Sequence, residues 1–169
     1  MSRANLPALG YVYVALAFAA FAVTPGHIEL ASALYAPALF GYLWFIASLR
    51  SKLVRFDPDG FYASSVVLGA AAYAALEART LVNFDDGIIA APASACAATV
   101  IVASSAAAWR ARKIPRWFGQ AGVAGGIAVL VVGVVEGATN WTFWRHDMHA
   151  SSIGFWIWVV VTATYLLRR

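Results

Sequence analysis

The chain has 169 residues, of which 62% are hydrophobic and 12% charged, with a formal net charge of +4 and a pI near 9.5. Charge at about half the level of an ordinary soluble domain excludes a water-soluble fold. The basic balance does not indicate nucleic acid either, because the bases are dealt out between apolar stretches and form no continuous patch.

A bilayer core of about 30 Å needs roughly 20 mostly apolar residues per helix. Six segments meet that requirement, and the predicted fold is an all-α, six-transmembrane-helix bundle forming one domain over residues 1–169. The first span covers 6–23, behind Arg3. Its outline, one base and then an apolar run ending in small residues before Pro25, is shared by signal peptides, and the expectation is that it is retained as a span. A short gap with His27 and Glu29 leads to the second span, 30–49, where Pro37 removes one helix hydrogen bond and is expected to kink the helix. Arg50, Lys52 and Arg55, with Asp57 and Asp59, fill the next gap before span three, 61–77, which closes on Glu77 and is followed by Arg79, Asp85 and Asp86. Span four, 88–109, holds the lone Cys96, which rules out an internal disulfide and reads as a small packing residue. Arg110, Arg112, Lys113 and Arg116 precede span five, 118–139, which carries Glu136 near its end. Span six, 152–167, follows a polar gap and ends at Arg168 and Arg169.

Ten of the twelve bases lie in the second and fourth gaps and at the two termini, leaving Arg79 and Arg145 on the other side. Since Lys and Arg in short loops mark the cytoplasmic face, both termini are expected to be cytoplasmic. The minimal loops and Ala-rich composition point to a bacterial inner membrane, where the same bases would meet anionic lipid headgroups of the bilayer.

A weak repeat of about 60 residues relates the segment from Arg50 to that from Arg110. Arg55-Phe56 answers Arg116-Trp117, Glu77-x-x-Thr80 answers Glu136-x-x-Thr139, and Phe84 answers Phe143, with a one-residue offset at Pro115. Parallel repeats of this kind occur in transporters that bind substrate at the repeat interface.

In span five, Gly119, Gly122, Gly126, Gly133, Gly137 and Asn140 fall within about 60° on one helical face. The pairs Gly122 with Gly126 and Gly133 with Gly137 are small-xxx-small steps, which drive close helix packing in lipid. Span five is accordingly expected at the bundle centre or at a homodimer interface. Glu136 lies on the edge of that sector and points into protein. A carboxylate deep in a membrane costs at least about 2.5 kcal/mol, so it needs headgroup solvation, a proton, a cation or hydrogen-bond donors. Glu77 sits at the matching depth, with Tyr73 and Thr80 on its face. Glu77, Glu136, Asn140, Tyr73 and Arg79 therefore form the candidate ligand- or ion-binding set, in which the two carboxylates share a cation or proton.

All three histidines fall on the outer side. His146 and His149 are three apart and, joined by His27, make a candidate nitrogen site for a divalent metal such as zinc or copper, although the spacing lacks the His-Glu-x-x-His form and its base. Interfacial or pH-responsive histidines are the alternatives. Trp141, Phe143, Trp144 and Trp156 near one face and Trp44, Trp109 and Trp117 near the other read as aromatic belts, with a stacking pocket for a flat ligand as the alternative.

No nucleophile, base and orienter set can be assembled from the spacing, so catalysis by paired carboxylates and histidines ranks below two other readings. One is binding or transport of a small solute or ion through a polar pocket near the outer side. The other is an accessory or structural subunit of a larger membrane complex. In size and topology alone the chain resembles the substrate-capture subunits of vitamin importers, which implies ligand capture inside the bundle; no motif of that family is matched by particular residues.

Overall fold

The computed structural model describes residues 3–24, 27–55, 57–80, 90–139 and 149–168. Among these, a 3-10 turn, Arg3–Ala8, leads into six α-helices: α1 Leu9–Val23, α2 Ile28–Leu53, α3 Phe61–Thr80, α4 Ala90–Arg110, α5 Arg116–Thr139 and α6 Ala150–Leu167. All six are long and apolar enough to cross a membrane. A helix that is apolar all round satisfies its own backbone and can sit in lipid without a polar face.

Helix bounds differ from the hydropathy reading chiefly at α2, which continues four residues past Leu49 to Leu53. Arg50 and Lys52 end the apolar run but not the helix, because cations are favourable in a last turn, opposite the negative end of the helix dipole. The α2 helix is also unbroken through Pro37.

Consecutive helices pack side by side, and α6 closes the ring against α1. The ring is not symmetric. α4 touches α2, α3, α5 and α6 and is the most enclosed helix, whereas α5 leans on α4 and only lightly on α6. Of the two placements expected for span five, the bundle centre is thus taken by α4. Ile127, Val131, Val134 and Val135 of α5 are exposed, as befits a helix with one face on lipid.

The glycine face of α5 is turned toward α4. A methyl group at Gly119 would lie 2.5 Å from Cβ of Trp109, and one at Gly126 would lie 2.6 Å from Cγ2 of Val102. Gly122 faces Ser105, Gly137 faces Ala91, and Gly133 is buried. Ala- and Ser-rich α4 supplies the other small surface, so the two backbones approach closely within one chain.

The loops that carry the bases gather at one end of the bundle. Arg110 of α4 donates to the Tyr62 hydroxyl of α3 at 2.8 Å, and Tyr165 of α6 donates to the Lys113 carbonyl of the α4–α5 turn at 2.6 Å. Tyr11 of α1 and Thr164 of α6 pair through their hydroxyls at 2.6 Å. The α4–α5 turn is a Schellman-type stop, with Lys113 N–H bonded to the Ala108 carbonyl and Arg112 held at φ 52°. At the same end, buried Asp57 caps α3 by accepting the Ala63 N–H at 2.7 Å.

Candidate functional site

Three features concentrate polar chemistry within the bundle: the cap at Glu136, a tyrosine cluster that reaches Glu77, and a cavity beside α5.

Glu136 is the most deeply buried ionisable carboxylate among the described residues, at 1% exposure. Protein groups rather than solvent therefore surround it. Its Oε1 accepts the N–H of Ala150, and its Oε2 accepts both the hydroxyl of Ser151 at 2.7 Å and, at 3.4 Å, the Ser151 N–H. Ala150 and Ser151 are the first two residues of α6. Because the opening N–H groups of any helix lack intrahelical partners and carry partial positive charge, a carboxylate there compensates both its own desolvation and theirs. His149, the N-cap residue, makes no side-chain cap hydrogen bond, so Glu136 supplies from another helix what the local sequence omits.

The His149 ring lies beside this cap, its Nδ1 3.8 Å from Oε2 of Glu136, and neither ring nitrogen has a hydrogen-bond partner among the described residues. That distance is an ion pair only when the imidazole is protonated, and it exceeds hydrogen-bond reach. His27 is exposed at the start of α2. His146 and Asn140 lie outside the described residues. Among the described residues no three metal-ligating side chains converge.

Glu77 accepts a short hydrogen bond from Tyr35 of α2. Tyr35 belongs to a cluster of four buried tyrosines with Tyr13, Tyr42 and Tyr73, drawn from three helices, of which Tyr42 and Tyr73 pack on Phe155 of α6. Trp156 donates its indole N–H to the Tyr13 hydroxyl, which in turn pairs with that of Tyr73, each at 3.3 Å. An indole N–H can only donate, so the Tyr13 hydroxyl accepts from Trp156. The buried Tyr42 hydroxyl has no hydrogen-bond partner among the described residues. Tyr73 is thus in the cluster through Tyr13, while Arg79 is exposed in the last turn of α3. The two carboxylates are each held by a different helix, Glu77 by α2 and Glu136 by α6.

Sequence reasoning named Tyr73 and missed Tyr13, Tyr35 and Tyr42. A period signal was present in Tyr35 and Tyr42, seven residues apart on one face of α2, but an apolar helix in lipid offers no contrast to mark which face is inside.

The cavity was not foreseen. It lies between α5 and α6 with α4 as its floor, has a volume of about 830 Å³, and is open on one side. Its walls are Ile101, Ala121, Gly125, Ala128, Val129, Val132, Ile157 and Val161. Gly125 has nothing within 4 Å of where a methyl would stand, so the wall there is bare backbone. One end is bounded by Ala150 and Ser151, the residues capped by Glu136, and the other by Lys52, Arg55 and Lys113. From Trp117 to Val132 the lining runs about 22 Å along α5, most of the thickness of a hydrocarbon core. Its volume falls within the range of about 300–1,000 Å³ usual for ligand pockets.

Comparison with protein families, with curated proteins and with solved structures finds no match for the chain.

Proposed function

We propose that the protein is an integral membrane protein that captures or transports an amphiphilic molecule, taken from the bilayer into the cavity between α4, α5 and α6. The cavity is the observation that carries this reading: about 830 Å³, apolar along its length, open on one side and basic at one end. A hydrated ion or polar solute would find few partners along such a wall, whereas an apolar chain replaces lipid contacts with protein contacts at little desolvation cost. The proposed ligand thus differs from the small solute or ion expected at a polar pocket with Glu77 and Glu136. In this reading Glu136 is a positioning residue that fixes the start of α6, and through it the far end of the cavity.

The orientation proposed with it places the basic end in the cytoplasm and Glu77, Glu136 and His149 toward the outside of a bacterial inner membrane, supported by the bias of short-loop bases. Acid-base catalysis has less support, since the oxygens of Glu136 are committed to the α6 N-terminus and the nearest imidazole nitrogen is 3.8 Å away.

The reading is tested in nanodiscs with a photoactivatable fatty-acyl probe and mapping of the labelled peptides. Labelling concentrated on Ala128, Val132 and Ile157, and abolished by Gly125→Trp, supports it. Labelling spread evenly over the lipid-facing residues Phe18, Phe40 and Leu68 as well overturns it. The accessory-subunit reading instead expects a partner helix in the same groove, and Gly125→Trp would then release a co-purifying protein.

A further inference from the structure

Among the described residues, three bases and no acidic residue line the cavity. Lys52 and Arg55 come from the end of α2, and Lys113 comes from the α4–α5 turn, so two separate parts of the chain converge on one rim. Trp117 and Tyr165 line the same end. These are the side chains that favour the interfacial depth of a membrane, where an amphiphile's headgroup lies. Asp57, the nearest acid in sequence to Arg55, is turned into the protein to cap α3 and is absent from the lining.

At the opposite end the lining is closed by the first residues of α6, whose N–H groups are already taken by Glu136. Among the described residues the lining is therefore charged in one sense only: positive and rich in donors at the basic end, mainly apolar along its shaft apart from the hydroxyls of Ser104, Ser105 and Thr162, and bounded at the far end by the start of α6. An occupant fitting all three parts carries negative charge at one extremity and hydrocarbon over the rest.

Resting on the amphiphile reading above, we propose that the cavity is a binding site for an anionic phospholipid, its phosphate held by Lys52, Arg55 and Lys113 and an acyl chain lying along α5 past Gly125. Two lysines and an arginine around one phosphate favour a phosphatidylglycerol, which keeps its net negative charge, over a phosphatidylcholine of identical chains, whose choline cancels it. Arg55 adds a planar fork able to bond two phosphate oxygens at once.

The experiment uses the full chain, delipidated in a neutral detergent, with thermal unfolding followed as matched phosphatidylglycerol or phosphatidylcholine is added. Wild type is expected to gain several degrees more from phosphatidylglycerol than from phosphatidylcholine. The Lys52→Gln, Arg55→Gln, Lys113→Gln variant should lose that difference while keeping the smaller rise common to both lipids. Gly125→Trp, which fills the shaft at a position with no neighbour to displace, should lose both rises without a lower starting melting temperature. Glycerol phosphate without chains should give no shift; a shift equal to that of the intact lipid would mean a free-phosphate site and overturn the proposal. Equal shifts from the two lipids in wild type, both lost in Gly125→Trp, would overturn the anionic assignment and leave the amphiphile reading standing. No shift from either lipid, with Gly125→Trp converting a dimer to a monomer by light scattering, would overturn both in favour of a second copy in the groove.

Discussion

Glu136 on α5 accepts the hydroxyl of Ser151 on α6 at 2.7 Å, and the same carboxylate holds the Ala150 and Ser151 amides. One acid thus closes a helix start that has no cap of its own. Removing it strands a buried hydroxyl and two N–H groups. Glu136→Ala is expected to destabilise the protein by about 2–4 kcal/mol, since each orphaned buried group costs roughly 1–3 kcal/mol and some are recovered by relaxation. Glu136→Gln retains one acceptor oxygen and should cost less, and Ser151→Ala about 1 kcal/mol. Denaturant unfolding in detergent checks the order, and hydrogen exchange at the first turn of α6 should rise in Glu136→Ala before exchange elsewhere does.

The tyrosine cluster sets two hydroxyls in opposite circumstances. That of Tyr35 serves Glu77, whereas that of Tyr42 is buried with no partner among the described residues. Tyr35→Phe should destabilise by about 1–3 kcal/mol by withdrawing a donor from a carboxylate. Tyr42→Phe should be neutral or stabilising by up to about 2 kcal/mol, because it removes a desolvated group and keeps the ring contacts with Tyr13, Tyr73 and Phe155. Melting temperatures of the two single variants should therefore move apart.

Glycines one residue apart on α5 should respond in opposite directions to the same added methyl. Gly126→Ala drives Cβ to 2.6 Å from Val102, and overpacking of that kind costs about 1–3 kcal/mol. Gly125→Ala meets open space and gains helix propensity worth up to about 1 kcal/mol. Thermal unfolding of the pair separates packing from propensity within one turn.

At the basic end, Asp57→Ala should cost about 0.5–2 kcal/mol through loss of the cap on Ala63 N–H. Arg112→Gly relieves a non-glycine residue at φ 52° and should stabilise by up to about 1 kcal/mol. Urea unfolding in a mild detergent reads both.

Orientation is open to direct measurement. In a Cys96→Ala background, single cysteines at Asp59 or Arg112 should react with an impermeant maleimide only in inside-out vesicles. A cysteine at His27 should react only in intact cells. The reverse pattern would invert the proposed topology.

Span positions were legible in the sequence because lipid imposes a length and a composition on each helix, and charge marks the ends. The glycine face of span five was legible too, since small residues at a four-residue step have few other uses in lipid. Its neighbour was not: Gly119 and Gly126 fit a second copy as readily as they fit Trp109 and Val102 until α4 is seen beside them. Glu136 could be recognised as a buried acid needing partners. That those partners are the first amides of the next helix could not, because a gap of fourteen positions says nothing about the path between them.

The sequence by itself thus determined an all-α chain of six membrane-length helices, the end at which its bases collect, and the two carboxylates that demand an explanation, all from local composition acting against a fixed solvent thickness. Only the tertiary structure decided which helix lies at the centre, which donors satisfy each acid, and that an apolar cavity opens beside α5. In helices apolar on every side, burial leaves no periodic trace, and the choice of neighbours rests on the fit of surfaces brought together from distant parts of the chain.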